Sequence, residues 1–406
     1  MVGIELQSPL AGQSIPGYVF PLRGKISTAP GGPSIDRMAV LGGDRLARGL
    51  TRRVSETCHE FSMAIGCASQ PPEFQLDVSV VLEGPVRIQL VRIAGRRSAL
   101  ESDFEPAIQP LLITTLGRSG STILAAAMGT HPNVIAYRPL GREPRAAAYW
   151  TDVFRELSDP VSSGRQLAHG GQPDMADRGW WLGKGVAQEF FDDDPVAEWL
   201  GRDHVRSLAA YCVGRVESLY ACLARDADKP NARYFVEKTR PDGITSTMRD
   251  LYPKRREVIL VRDLRDMFCS MRAWSDRLGT PVFGRGGAGG DQQHLDSLKM
   301  QAERLFELRE ELGDRCRLVR YEDLVLDTAA TLRGVLDHLE LDTSSEVIEE
   351  MSALVADSAP ATDRHRTTAS GRESIGRWQR DLDDDLREWC EEHLGAALIQ
   401  FGYEQR

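Results

Sequence analysis

A chain of 406 residues, 41% of them hydrophobic, is long enough for more than one ordinary domain and apolar enough to bury a core. A formal net charge of −10 argues against a general nucleic-acid binder and against a polybasic membrane surface, so any anion site must be a local cluster of Arg and Lys. The seven cysteines are scattered and form no CxxC pair, which points to free thiols in a reducing compartment rather than to a zinc site or a disulfide framework. No basic stretch followed by an apolar run opens the chain, and no run of roughly 18 apolar residues occurs, so the reading is a soluble, cytoplasmic protein without a transmembrane segment.

Residues 1–105 carry frequent turn signals, among them Ser8-Pro9, Pro16-Gly17, Gly31-Gly32-Pro33, Gly42-Gly43 and Pro71-Pro72. Between them lie short β-prone runs at 18–22, 37–41, 61–66, 74–82 and 86–93. In the last, Val86, Ile88 and Leu90 alternate with Arg87 and Gln89, the period-2 pattern of a half-buried strand. Short strands at this spacing predict a small all-β sandwich over residues 1–105.

From Pro110 onward the pattern becomes strand followed by helix. A strand at 111–116 precedes a helix at 121–128, a strand at 257–261 precedes a helix running through Trp274, and a strand at 315–320 precedes a helix at 328–339. Residues 297–312 and 385–401 read as long amphipathic helices. Alternating βα units predict a parallel sheet with helices on its faces, a three-layer α/β domain of P-loop-like type over residues 106–406. Residues 141–230 read as mostly helical with a polar loop around 169–177, and 279–290 as a glycine-rich mobile loop.

Residues 111–122 pass from an apolar strand through Gly117-Arg118-Ser119-Gly120 into a helix that starts with Ser121-Thr122. At such a junction unpaired backbone N–H groups and the positive end of the helix dipole face an anion. Gly120 allows close approach of the backbone, Ser121 and Thr122 add hydroxyls, and Arg118 adds charge. The string is not a Walker A motif, because Ser121 stands where that motif needs Lys, so a magnesium-triphosphate arrangement is not indicated. A second junction, Val258-Ile259-Leu260-Val261-Arg262-Asp263, ends a strand in Arg262 and leads into a helix bearing Ser270. A guanidinium and a hydroxyl so placed suit a phosphate.

These two junctions, with His131-Pro132 after the first, resemble the 5′-phosphosulfate and 3′-phosphate motifs of the sulfotransferase superfamily that uses 3′-phosphoadenosine 5′-phosphosulfate (PAPS). The resemblance is nearest to the bacterial carbohydrate-type and tyrosylprotein sulfotransferases. Two later strings agree with it: Arg320-Tyr321-Glu322-Asp323-Leu324, and Gly371-Arg372-Glu373-Ser374-Ile375-Gly376-Arg377-Trp378. The resemblance implies a PAPS cofactor held by Arg118, Ser119, Gly120, Ser121, Thr122, Arg262, Ser270, Tyr321 and Arg372, with no metal required. Val236-Glu237-Lys238-Thr239 is similar to the strand that bears the family's catalytic Lys, so Lys238 and Arg118 are expected to stabilise the leaving group.

Sulfuryl transfer also needs a base for the acceptor proton. Relatives carry a Glu soon after the His-Pro segment, where this chain has Arg138. Glu143, followed by Pro144, is the candidate, with Glu237 and His204 as fallbacks. The acceptor reading leans to a carbohydrate or glycoconjugate, from a weak resemblance of residues 1–105 to β modules on bacterial glycan-modifying transferases and from Trp150, Trp180, Trp181 and Trp199 in the acceptor region. A P-loop kinase and a non-catalytic nucleotide- or glycan-binding protein stand as alternatives. The kinase lacks a Walker Lys here.

Overall fold

The computed structural model describes residues 2–9, 14–15, 17–32, 34–42, 45–49, 51–82, 86–137, 144–158, 195–241, 246–282, 290–356 and 367–403. Arg138, Glu143, Trp180, Trp181, the polar loop at 169–177 and residues 283–289 of the glycine-rich loop lie outside them. The chain divides into two compact units. One comprises Met1–Glu105, Ala148–Val216 and Thr245–Leu251, and the other Pro106–Ala147, Glu217–Ile244 and Tyr252–Arg406.

The first unit is built on two sheets. One has the order β1 (Val2–Ser8), β3 (Val19–Thr28), β7 (Cys58–Gly66), β6 (Thr51–Arg53) and is antiparallel throughout. The other has the order β2 (Ser14–Ile15), β9 (Arg87–Arg97), β8 (Glu73–Leu82), β4 (Ile35–Gly42), β5 (Arg45–Gly49), antiparallel except where β2 joins β9. Inward residues alternate along β3, where Phe20, Leu22 and Ile26 are buried, and along β8, where Phe74, Leu76, Val78 and Val80 are buried. These side chains share one core with Phe61, Met63, Met38 and Ile93, which makes the two sheets a sandwich. Short β-prone runs between turn signals made β3, β4, β7, β8 and β9 legible in the sequence, with alternation plain in the last. By contrast β1 and β6 went unseen, because Val2–Ser8 buries little and Thr51–Arg53 is a short polar edge.

The second unit is a five-stranded parallel sheet in the order β11 (Val134–Ile135), β12 (Tyr234–Thr239), β10 (Gln109–Thr114), β13 (Arg256–Val261), β14 (Cys316–Arg320). All six residues of β10 are buried, the continuous apolar run expected of a central parallel strand. The helices of the chain begin α1 (Ser121–Met128), α2 (Ala146–Leu157), α3 (Pro195–Gly201), α4 (Asp203–Asp226) and α5 (Ser246–Leu251). They continue with α6 (Leu264–Leu278), α7 (Gly290–Leu312), α8 (Tyr321–Leu326), α9 (Thr328–His338) and α10 (Ser345–Val355), then Trp378–Asp381 and Asp384–Gln400. Leu124, Ala127 and Met128 of α1 share a core with Leu332, Val335 and Leu336 of α9 and with Ile348 and Met351 of α10. Among the described residues no helix is long and apolar enough to cross a membrane.

Strand order decides where a ligand belongs. The chain leaves β10, adds β12 on one side of it, and then crosses to add β13 on the other. In an open parallel sheet the crevice at such a switch, at the carboxyl ends of the strands, is where ligands bind. Three sequence motifs terminate there: 117–122 after β10, Lys238 near the end of β12 and Arg262 just beyond β13.

Candidate functional site

The turn after β10 is built from positions that favour glycine. Gly117 has φ 96°, Gly120 φ 89° and Arg118, a non-glycine, φ 52°. A Cβ on Gly120 would stand 2.5 Å from Cδ2 of Tyr321, so the Tyr321 ring packs directly on this backbone and only glycine fits. Ser119 is fully buried and its hydroxyl bonds Thr115 across the turn, which makes Ser119 a brace of the loop. Helix α1 then starts with no side-chain cap and no acidic residue in its first turn. Its N–H groups and dipole are left for an anion.

Cations surround this helix end. Lys238 Nζ donates to Thr122 Oγ1 at 2.7 Å, and Arg118 Nε to Ser270 Oγ at 3.2 Å. Arg118 also lies over the Trp274 ring, 4.8 Å from its centroid. Burial, reinforced by the neighbouring Arg262 guanidinium, pushes the Arg118 guanidinium down to about 10. A lowered cation of this kind signals an excess of positive charge in a desolvated place.

Arg262 is 5% exposed, donates through Nη1 to the Arg118 carbonyl at 3.1 Å and through Nη2 to the Ser374 carbonyl at 2.5 Å, and lies over the Tyr321 ring at 4.5 Å. Its Nε is buried with no hydrogen-bond partner. A buried unpaired donor on a charged group costs free energy, so a site that keeps one is a site that expects an acceptor. Tyr321 Oη lies 3.0 Å from Ser374 Oγ, and the adjacent Glu322 accepts from Asp263 N at 3.1 Å and from Tyr403 Oη at 2.7 Å.

One cleft collects these groups: Arg118, Gly120, Ser121, Thr122, Arg262, Ser270 and Tyr321 line it, with Thr367, Thr368, Ser370, Gly371 and Ser374 opposite and Ile123, Val325 and Val355 as an apolar wall. The hydroxyl run Thr367-Thr368-Ala369-Ser370 escaped the sequence reading, although its density just before Gly371 was a signal. Trp274 escaped too, since nothing in sequence tells that it faces Arg118. Arg372 is exposed on a 3-10 turn and is not among the cleft-lining residues. Arg377 is buried, donating to Thr367 Oγ1 at 2.8 Å and to Asp381 at 2.6 Å.

Of the candidate bases, Glu143 lies outside the described residues. Glu237 is 2% exposed, and its carboxylate accepts from Tyr220 Oη at 2.6 Å and from Ala147 N at 2.9 Å. His204 belongs to the first unit, with Nε2 3.0 Å from the Leu157 carbonyl oxygen. His131 is fully buried, its Nε2 donating to the Asp342 carbonyl and its Nδ1 accepting from Asn133 N, a structural role. Among the described residues no group of three or more His, Cys, Asp or Glu side chains is placed to hold a metal ion.

The chain is similar to several solved structures, each at low identity. One is the sulfotransferase domain from the curacin biosynthetic pathway, at 15% identity over 74% of this chain and 99% of that one, TM-score 0.41. Another is sulfotransferase STF9 from Mycobacterium avium, at 15% identity over 74% and 78%, TM-score 0.40. A third is mouse sulfotransferase SULT7A1 complexed with PAP, at 14% identity over 44% and 70%, TM-score 0.32. No curated protein matches the chain. The model of the sulfotransferase family matches residues 110–346, from within β10 to the start of α10 and so through every strand of the parallel sheet. Because that match spans more than half of the chain, the protein belongs to the sulfotransferase family.

Proposed function

We propose that this protein transfers the sulfuryl group of PAPS to an acceptor hydroxyl on a carbohydrate or glycoconjugate. The observation that carries the donor assignment is Arg262, a buried guanidinium beside the half-buried guanidinium of Arg118, with a donor nitrogen left unpaired at the mouth of the sheet's switch point. Two neighbouring cations, an uncapped helix end and a row of hydroxyls suit a ligand with two separated anionic groups, and the apolar wall suits an aromatic ring carried on the same sugar. When bound, the donor supplies the sulfuryl group and a phosphate leaving group.

In this reading Gly120, Ser121 and Thr122 present the amides and hydroxyls of the turn to the 5′ side, on a loop that the buried Ser119 braces. Arg262 and Ser270 hold the 3′-phosphate, Arg372 would reach it only if its exposed turn swung inward, and Tyr321 packs by the nucleotide. Lys238 and Arg118 place positive charge where the leaving oxygen gains negative charge, which is worth most in a desolvated site. Glu143 takes the proton of the acceptor hydroxyl. Arginine and lysine supply the neutralising charge, so no metal is needed. Residues 1–105 act as an accessory β module to a transferase module of residues 106–406, in a reducing compartment that suits its free cysteines.

Titration calorimetry with adenosine 3′,5′-bisphosphate, with and without magnesium, tests the donor. Binding should be independent of magnesium, and Arg262→Ala should weaken it by about 1.5–3 kcal/mol, the range for a hydrogen bond to a charged group, with Ser270→Ala weaker in effect. Unchanged affinity in Arg262→Ala sinks the assignment. Magnesium-dependent binding would turn the reading toward a kinase, and absence of turnover with every hydroxyl acceptor toward a binding protein.

A further inference from the structure

Asp266 lies in the first turn of α6 and is 1% exposed. Its two oxygens are spent on the backbone of a distant turn: Oδ2 accepts from Gly376 N at 2.7 Å and Oδ1 from Trp378 N at 3.0 Å. That turn reaches back into the cleft. The Ser374 carbonyl accepts from Arg262, Ser374 Oγ meets Tyr321 Oη, and Arg377, between the two anchored amides, donates to Thr367 Oγ1. Thr367 Oγ1 is in turn 3.2 Å from Ser270 Oγ. A shift of the turn would therefore move the partners of Arg262, Tyr321 and Ser270 together.

We infer that Asp266 is a positioning residue for nucleotide binding: its carboxylate fixes the turn at 371–378, which holds Arg262 and Ser270 in place for a 3′-phosphate. The inference rests on the donor assignment made above. Burial pushes the Asp266 carboxyl up to about 6, so the fold keeps this group at an energetic cost that an apolar residue would not carry. The turn also has a second anchor, since the Arg265 guanidinium stacks on the Trp378 ring at 3.9 Å and is itself paired with Asp263 at 2.7 Å. With Trp378 still buried and stacked, loss of the carboxylate should loosen the turn without unseating it.

Asp266→Asn keeps the volume of the side chain and replaces one acceptor with an N–H donor that faces another N–H. Calorimetry on the full chain would compare adenosine 3′,5′-bisphosphate with adenosine 5′-phosphosulfate, which lacks the 3′-phosphate. Affinity for the bisphosphate should fall about 10–100-fold, while that for the phosphosulfate stays within about twofold. Hydrogen exchange at the Gly376 and Trp378 amides should quicken. Wild-type affinity for the bisphosphate in Asp266→Asn, or equal losses for both nucleotides, overturns the inference. Should Asp266→Asn fail to fold, Asp266→Glu, which keeps the charge and displaces it by one methylene, takes its place. A smaller loss confined to the bisphosphate supports the inference, and equal losses or none overturn it. Wild-type protein that binds neither nucleotide removes the donor assignment itself, a result read before any variant is compared.

Discussion

Lys238 Nζ donates at 2.7 Å to Thr122 Oγ1, joining the end of β12 to the first turn of α1. The register of the sheet produces this meeting. Lys238 pairs with Ile113 of β10, so the Lys stands level with the end of the strand whose turn leads into α1. An ammonium seated on the hydroxyl of a helix's first turn brings its charge to the place where that helix end favours an anion.

The first prediction concerns that ammonium. Lys238→Ala should lower kcat by about 10²–10³-fold, the usual loss when one group stabilising transition-state charge is removed, while the Kd for adenosine 3′,5′-bisphosphate changes little. Radiolabelled sulfate transfer with a working acceptor measures the first and calorimetry the second. A rise in KM with kcat intact would assign Lys238 to binding instead.

Asp266 makes a prediction about pH. Burial, with Asp263 nearby, outweighs Arg262 and the two amide bonds, and raises the carboxyl from its ordinary 3.8 to about 6. A carboxyl with a raised folded pKa holds its proton more tightly in the folded state than in the unfolded one. Its contribution to stability is therefore fully present below about pH 4 and lost as the pH rises through about 6. Two units correspond to roughly 2–3 kcal/mol. Urea unfolding of wild type minus Asp266→Asn, followed from pH 4 to 7, should fall by that order, and a flat difference would refute the cause.

Arg97 gives a prediction confined to the first unit. Its side chain is fully buried, donating to the Gln70 carbonyl at 2.7 Å, to the Ser98 carbonyl at 2.8 Å, and to Asp250, which is 18% exposed. Arg97→Met should destabilise the protein by about 3 kcal/mol, the low end for breaking a buried pair because Asp250 can recruit water. Denaturant melts read by tryptophan fluorescence measure it, and a loss below about 1 kcal/mol would mean that Arg97 is replaceable by apolar packing.

What the sequence disclosed divides along physical lines. Helix α1 and strands β10, β13 and β14 lay within a residue or two of their expected places, because apolar runs and glycine turns are local signals. The phosphate turn was legible because its backbone demands glycine at Gly117 and Gly120. The opposite wall of the cleft was not. Thr367 and Ser374 take their places through Ser270, Tyr321 and Arg262, partners far away in the chain, and no local pattern encodes such pairings. Asp266, at the end of Arg262-Asp263-Leu264-Arg265-Asp266, carries no local sign of its burial or of its bonds to the Gly376 and Trp378 amides. Arg372 and Arg377, five positions apart in one motif, differ the same way: one exposed, one buried against Thr367.

The last prediction concerns the base. Glu143 is the only carboxylate between Thr130 and Trp150, and it precedes the rigid Pro144. The fallbacks weaken on inspection. Glu237 has its carboxylate occupied by a tyrosine hydroxyl and a backbone amide and is almost wholly buried, out of reach of an acceptor. His204 spends its Nε2 proton on the Leu157 carbonyl. Arg142 and Arg145 flank Glu143 in the sequence, and positive charge near a carboxylate makes a poorer base, an effect that a bound anionic donor would offset. Glu143→Gln should therefore cut turnover by about 10²–10⁴-fold with nucleotide affinity nearly intact. The pH dependence of kcat should also lose its acidic limb, because the group whose deprotonation the reaction awaits is gone. Full activity in Glu143→Gln with a genuine acceptor would return the role to Glu237 or His204, and the matching Glu237→Gln and His204→Asn variants would decide between them.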